Sequence, residues 1–238
     1  MAEETRVVEL SSTFDGNRLY LHKKFEFVTN KLNVLVGPNG TGKTVMLKKL
    51  REKFKKENTE FIYYSNLEQG GSKAKDAYLF AGAIDQAAIS MTSSAGQNIV
   101  HDFGMMVATR MKKIITKNPG KDIWILVDCI DSGLDIAGLA GIRNFVRLCL
   151  EDATKSNTTI IPVFSANSYG LVEGENCLYP YTGKRMIFKS YDEYKDFIMT
   201  QYKKIDARDD RNREKEQWRS ERDDDPSSKK YKRHGSNS

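Results

Sequence analysis

Leu32-Asn33-Val34-Leu35-Val36 runs straight into Gly37-Pro38-Asn39-Gly40-Thr41-Gly42-Lys43-Thr44, and beyond it Val45, Met46, Leu47, Leu50 and Phe54 recur among lysines. The first run is almost wholly apolar, as a strand covered on both faces in a parallel sheet is. The last has the spacing of an amphipathic helix, expected over about residues 43–57. The stretch between them fits GxxxxGK[ST] at every fixed position. Glycines there let backbone N–H groups fold around a phosphate, and the helix start adds its positive end. In such a loop Lys43 reaches the β- and γ-phosphates of a nucleoside triphosphate, and the Thr44 hydroxyl ligates Mg²⁺. The candidate cofactor-binding residues are therefore Gly37, Pro38, Asn39, Gly40, Thr41, Gly42, Lys43 and Thr44.

A site of this kind needs a carboxylate at the end of a buried strand. Ile123-Trp124-Ile125-Leu126-Val127 leads into Asp128, which suits an acid that holds magnesium through water. An Asp that merely ends a strand at the surface is the other reading.

The rest of the chain alternates strands and helices. RVVEL (6–10), RLYLH (18–22) and KFEFV (24–28) alternate in the manner of antiparallel strands with one buried face. FIYYS (61–65), DIWILVD (122–128) and TTIIPVFSA (158–166) read as further strands, and a last strand pair is expected to span 177–189. Helices are expected over about 95–116 and 136–154, with residues 66–93 mixed helix and loop. Ser190 and Glu193 have capping-box spacing ahead of an apolar stripe at Tyr194, Phe197, Ile198, Tyr202 and Ile205. Together these give an α/β fold, a mostly parallel sheet flanked by helices, with a small N-terminal antiparallel β lobe.

The chain has 238 residues, 39% hydrophobic and 29% charged, which allows one sizeable core or two lobes plus a tail. No uncharged apolar run approaches the roughly 18 residues of a membrane span, and MAEETRVVEL lacks a signal-peptide stretch. Cys129, Cys149 and Cys177 are odd in number and lack CxxC spacing, so neither a disulfide framework nor a zinc site is suggested. A cytoplasmic protein without a membrane partner is expected. Of the net charge of +6, residues 203–238 carry +3, from 12 Lys/Arg against 9 Asp/Glu. That tail invites a nucleic-acid contact, although mixed-charge runs are more often solvated helix or disorder. The expected division is a nucleotide-binding domain over 1–205 and a charged, disordered or helical tail over 206–238.

Asp128-Cys129-Ile130-Asp131-Ser132-Gly133-Leu134-Asp135 resembles the stretch in ABC-type ATPases where the magnesium Asp precedes Glu-Pro-x-Ser-x-Leu-Asp. Ser93-Ser94-Ala95-Gly96-Gln97 is similar to that family's LSGGQ signature, and GPNGTGKT is its preferred phosphate-loop wording. The order of these motifs covers roughly residues 1–190, although the stretch from Gln97 to Asp128 is longer than in transporter heads. The resemblance is to compact heads of chromosome-maintenance and DNA-repair ATPases, and to small stand-alone bacterial and phage ATPases. It implies ATP and Mg²⁺ as cofactors, with two heads sandwiching two ATP molecules, in a homodimer or with a partner ATPase. Ser94, Gly96 and Gln97 would contact the γ-phosphate of the facing head; the plain alternative is a Ser N-cap with a glycine turn. By the same resemblance Gln69 is a candidate magnesium contact or a surface polar residue, and Phe14 or Tyr20 either stacks on adenine or packs.

Two departures bear on turnover. The family's catalytic Glu position is Cys129, and its switch-His position is Asn167. A thiol with a reference pKa of about 8.5 is a weak acceptor and a poor base, and Asn carries no proton. Losing a general base costs a factor of about 10²–10⁴. No Glu lies between Glu68 and Glu151 to take over; Asp131 is the remaining candidate base. The expectation is ATP-dependent assembly on DNA or protein with slow or lost hydrolysis. An active ATPase with a non-standard base and a structural protein with a relic site are the rivals.

Overall fold

A computed structural model describes residues 3–69 and 94–224, with backbone alone at Asn17, Gln69, Ala95 and 208–224. The chain divides into two compact units, Met1–Tyr194 and Lys195–Ser238.

In the first unit β1 (Thr5–Glu9) pairs antiparallel with β4 (Lys24–Val28), and the hairpin β2 (Thr13–Phe14) with β3 (Asn17–Arg18) lies between them in sequence. These two small sheets are the antiparallel N-terminal lobe. Its middle differs from the expectation. Of RLYLH only Arg18 lies in a strand, β3, because Leu19 and Tyr20 give their N–H groups to the Ser12 carbonyl, and Leu21 gives its own to Tyr181. The alternation that suggested a strand is that of a loop whose Tyr20 is wholly buried while Leu21 is 39% exposed.

The main sheet has six strands in the order β10 (Lys184–Met186), β9 (Asn176–Tyr179), β5 (Asn33–Leu35), β8 (Ile160–Ser165), β7 (Ile123–Asp128) and β6 (Phe61–Ser65). All neighbours are parallel except β10 on β9. The three central strands β5, β8 and β7 are buried at every residue, which explains why they read as continuous apolar runs. Asn33 is the polar exception in β5. Its side-chain oxygen accepts the Val28 N–H at 2.8 Å, and its amide donates to Val28, Lys31 and Pro162 carbonyls. The residue thus ties the lobe to the sheet with its hydrogen-bonding capacity used.

Helix α1 (Lys43–Glu57) packs Met46, Leu47, Leu50 and Phe54 into a core shared with Phe25, Phe27, Trp124 and Leu126. At about 1.5–3 kcal/mol per buried large side chain, those four positions supply a gross stabilisation of order 10 kcal/mol. The short α2 (Asn66–Gln69) follows β6. Helix α3 (Ala95–Lys117) leads into β7, α4 (Ile136–Lys155) into β8, and the one-turn α5 (Tyr169–Val172) follows β8. Phe103 of α3 meets Tyr64, Phe145 and Phe164 edge-on, with ring centroids 5.3–5.8 Å apart. Helix α6 (Tyr191–Asp224) starts in the first unit, where the Ser190 hydroxyl accepts the Glu193 N–H at 3.2 Å. The capping box is completed one residue early, by Lys189 N–H donating to the Glu193 carboxylate. Lys195–Asp224 is helical in the second unit; residues 225–238 lie outside the described residues. No helix among the described residues is long and apolar enough to cross a membrane.

Candidate nucleotide site

Five strands, β5, β6, β7, β8 and β9, point their carboxyl ends the same way, and it is there that ligands bind in open parallel sheets. The glycine-rich loop leaves β5 at that edge. Gly37, Gly40 and Gly42 have φ of +134°, +83° and +85°, a region that L side chains avoid. At Gly37 an added Cβ would lie 2.8 Å from the Tyr179 ring and 2.9 Å from the Thr41 hydroxyl. The loop is fixed from within, since the Thr41 hydroxyl donates to the Pro38 carbonyl at 2.7 Å. The Lys43 ammonium donates to the Gly37 and Pro38 carbonyls at 2.5 and 3.1 Å. Asn39 and Gly40 face solvent. Helix α1 then starts at Gly42 with no side-chain cap and no acid in its first turn, so its N-terminal donors and positive end are left for an anion.

Tyr20 braces this loop from below. Its hydroxyl donates to the Gly42 carbonyl at 2.9 Å, its ring meets Phe25 edge-on, and burial raises its pKa. A ring with no exposed surface packs and cannot stack on a base. Phe14 sits 45% exposed on β2.

Asp128 ends β7, 2% exposed, with Ser65 opposite it on β6 and β8 on the other side. Its Oδ1 accepts from the Thr44 hydroxyl at 3.1 Å and from the Ser165 hydroxyl at 2.5 Å. The helix that follows the glycine-rich loop and the acid-ending strand therefore meet at one oxygen. Lys43 belongs to the same cluster. Burial lowers its pKa, and the charges of Asp131 and Asp128 oppose that shift. One carboxylate beside one hydroxyl is a hard oxygen pair, and no cluster of three or more His, Cys, Asp or Glu that could hold a metal occurs among the described residues. That set fits magnesium carried in by phosphates better than a metal held by protein alone.

Cys129 follows in the left-handed region, φ +54°, half-buried. Burial, then the Asp128 and Asp131 carboxylates, push its thiol pKa up, so the group at this position stays neutral. Asp131 Oδ2 accepts the backbone N–H groups of Asn167 and Ser168 at 2.6 and 2.7 Å, capping the turn into α5. Asn167 itself is exposed, and its carbonyl accepts the Tyr194 hydroxyl at 2.9 Å.

At the start of α3, Ser94 and Gln97 form a capping box. The Ser94 hydroxyl accepts Gln97 N–H at 3.2 Å, and Ser94 N–H donates to the Gln97 side chain at 3.0 Å. Both residues face solvent. Gly96 brings the helix against the loop after β7, where a Cβ would lie 3.4 Å from the Gly133 carbonyl. Ser93 and the Gln69 side chain lie outside the described residues. Sequence reasoning missed Ser165 and Asn66, whose side-chain amide donates to the Ser132 carbonyl at 2.7 Å. Both are polar residues placed where a buried strand ends, the signal that singled out Asp128.

No protein-family model matches the chain, and no curated protein does. Among solved structures it is similar in fold to the ADP conformation of MJ1267, an ATP-binding cassette of an ABC transporter. That pair shares 12% identity over 84% of this chain and 96% of the other, with a TM-score of 0.48. The ATP-binding cassette MJ0796, a post-hydrolysis dimer bound to ADP and phosphate, shares 12% identity over 79% and 100%, TM-score 0.45. cbiO1 from Clostridium perfringens, part of an ABC transporter complex, shares 11% over 78% and 87%, TM-score 0.43.

Proposed function

We propose that this chain is an ABC-type nucleotide switch: it binds ATP·Mg²⁺, closes as a pair of copies in response, and turns the nucleotide over slowly or not at all. The observation that carries the binding is the meeting of Thr44 and Asp128 at 3.1 Å beside the buried Lys43. Residues 84 positions apart are brought together at the carboxyl edge of a parallel sheet, beside a helix start without a cap of its own. Gly37–Thr44 would cradle the phosphates, and Thr44 with Asp128 would hold magnesium, which neutralises phosphate charge when bound.

Slow turnover follows from the groups that flank Asp128. The neutral Cys129 thiol cannot take a proton from water at pH 7. Asp131 has Oδ2 committed to two backbone amides, which disfavours it as a base. The pairing of copies rests on the family resemblance and on the solvent-facing Ser94 and Gln97, whose capping box leaves a rigid helix start to face another head. A heteromeric ATPase partner would use the same face, and the charged tail beyond residue 205 would add a grip on DNA or protein.

The test is calorimetric titration with ATP·Mg²⁺ alongside phosphate release. Wild type is expected to bind and release little phosphate, while Lys43→Ala loses at least tenfold in affinity with its fold intact. Equal binding by Lys43→Ala would overturn the proposal.

A further inference from the structure

Ser165 ends β8 beside Asp128 and is 3% exposed. Its hydroxyl has two partners: it donates to Asp128 Oδ1 at 2.5 Å and accepts the backbone N–H of Cys129 at 3.0 Å. An amide N–H only donates, and a serine hydroxyl has one proton. With its oxygen occupied by Cys129, that proton is directed at the carboxylate. The polarity of the chain Cys129 N–H, Ser165 O–H, Asp128 Oδ1 is fixed, and each link strengthens the next. The Thr44 hydroxyl reaches the same oxygen from the phosphate-loop side at 3.1 Å. Cys129 holds a φ of +54°, which L-residues avoid, so the turn that takes the chain out of β7 is pinned by the same hydroxyl.

We propose that Ser165 is a positioning residue for the magnesium-ligand carboxylate: it fixes the Asp128 side chain from behind and clamps the turn at Cys129. This rests on the reading that Asp128 and Thr44 hold the magnesium of a bound nucleotide. In consequence the magnesium affinity of the site depends on a hydroxyl contributed by a different strand from the ligand. Removing such a supporting hydrogen bond typically weakens metal affinity by about 10–100-fold.

The test uses the full chain and measures binding, not turnover. ATP affinity is titrated against free Mg²⁺, and again in excess EDTA, for wild type, Ser165→Ala, Ser165→Thr and Asp128→Asn. The thermal midpoint without nucleotide is recorded for each. Ser165→Ala is expected to raise the Mg²⁺ concentration at half-effect by about 10–100-fold, with ATP affinity in EDTA unchanged. Ser165→Thr, which keeps the hydroxyl, restores most of it. An unchanged Mg²⁺ midpoint in Ser165→Ala, with Asp128→Asn abolishing the Mg²⁺ effect, overturns the role of Ser165 alone. An equal loss with and without Mg²⁺ assigns Ser165 to folding only and also overturns it. An Asp128→Asn variant that responds to Mg²⁺ as wild type does removes the magnesium reading and Ser165's role with it. If Ser165→Ala does not fold, Ser165→Cys, a weaker donor, carries the test with an intermediate shift expected and an unchanged midpoint overturning it.

Discussion

Gly37→Ala and Gly40→Ala add the same methyl group to the same loop, and the structure separates them. Both glycines have positive φ, +134° and +83°, and holding alanine there costs about 1–2 kcal/mol in the left-handed region. At Gly40 nothing lies within 4 Å of the added Cβ, so the backbone cost is the whole effect. At Gly37 the new carbon would approach the Tyr179 ring to 2.8 Å and the Thr41 hydroxyl to 2.9 Å. Neither neighbour yields easily: Tyr179 is 4% exposed in β9, and the Thr41 hydroxyl is bonded to Pro38. Overpacking of that kind adds about 1–3 kcal/mol. The expected totals are roughly 1.5 kcal/mol for Gly40→Ala and roughly 3.5 for Gly37→Ala. At about 2–4 °C per kcal/mol for a domain of this size, Gly37→Ala should melt about 10 °C below wild type and Gly40→Ala about 4 °C. Urea unfolding followed by the fluorescence of the buried Trp124 measures both without nucleotide. Equal destabilisation of the two variants would refute the close packing of the loop against β9.

Cys129→Glu places a carboxylate where the thiol is, and phosphate release should rise by about 10²-fold or more; no change counts against the role given to that position. Asp131→Ala leaves the Asn167 and Ser168 amides without their acceptor, so it should cost about 1–3 kcal/mol in thermal stability with phosphate release unaltered. If wild type releases phosphate steadily and Asp131→Ala stops it in a folded protein, Asp131 is a base after all. Burial pushes the Cys177 thiol from 9.0 up to about 12. The folded state therefore keeps a proton that the unfolded chain gives up above pH 9, and stability is lost as pH rises from about 9 toward 12. At 1.36 kcal/mol per pH unit, the stability lost through this thiol by pH 10.5 is about 2 kcal/mol. Comparison with Cys177→Ala in urea at pH 8 and 10.5 measures it; parallel pH slopes would refute the burial argument.

The sheet, its flanking helices and the glycine-rich turn between β5 and α1 were legible because their signals are local. Apolar runs mark β5, β7 and β8, the glycine pattern lies within eight residues, and α3 ends within a residue of its expected limit. Legibility failed where tertiary hydrogen bonds override alternation. RLYLH has a strand's pattern, yet its N–H groups are taken by Ser12 and by distant Tyr181. Tyr20 offered two readings in sequence, and only its full burial under Gly42 separates them. Ser165 went unnoticed because a serine after an apolar run is unremarkable until the parallel register sets it beside Asp128. The cap on Asn167 was equally hidden, since Asp131 lies 36 positions away.

The most direct test of the switch is the mass of the protein in solution with and without ATP·Mg²⁺, with phosphate release read on the same sample. Addition of ATP·Mg²⁺ should take the mass from 27.1 kDa to twice that value with almost no phosphate released. A mass indifferent to ATP, or steady phosphate release, would contradict it.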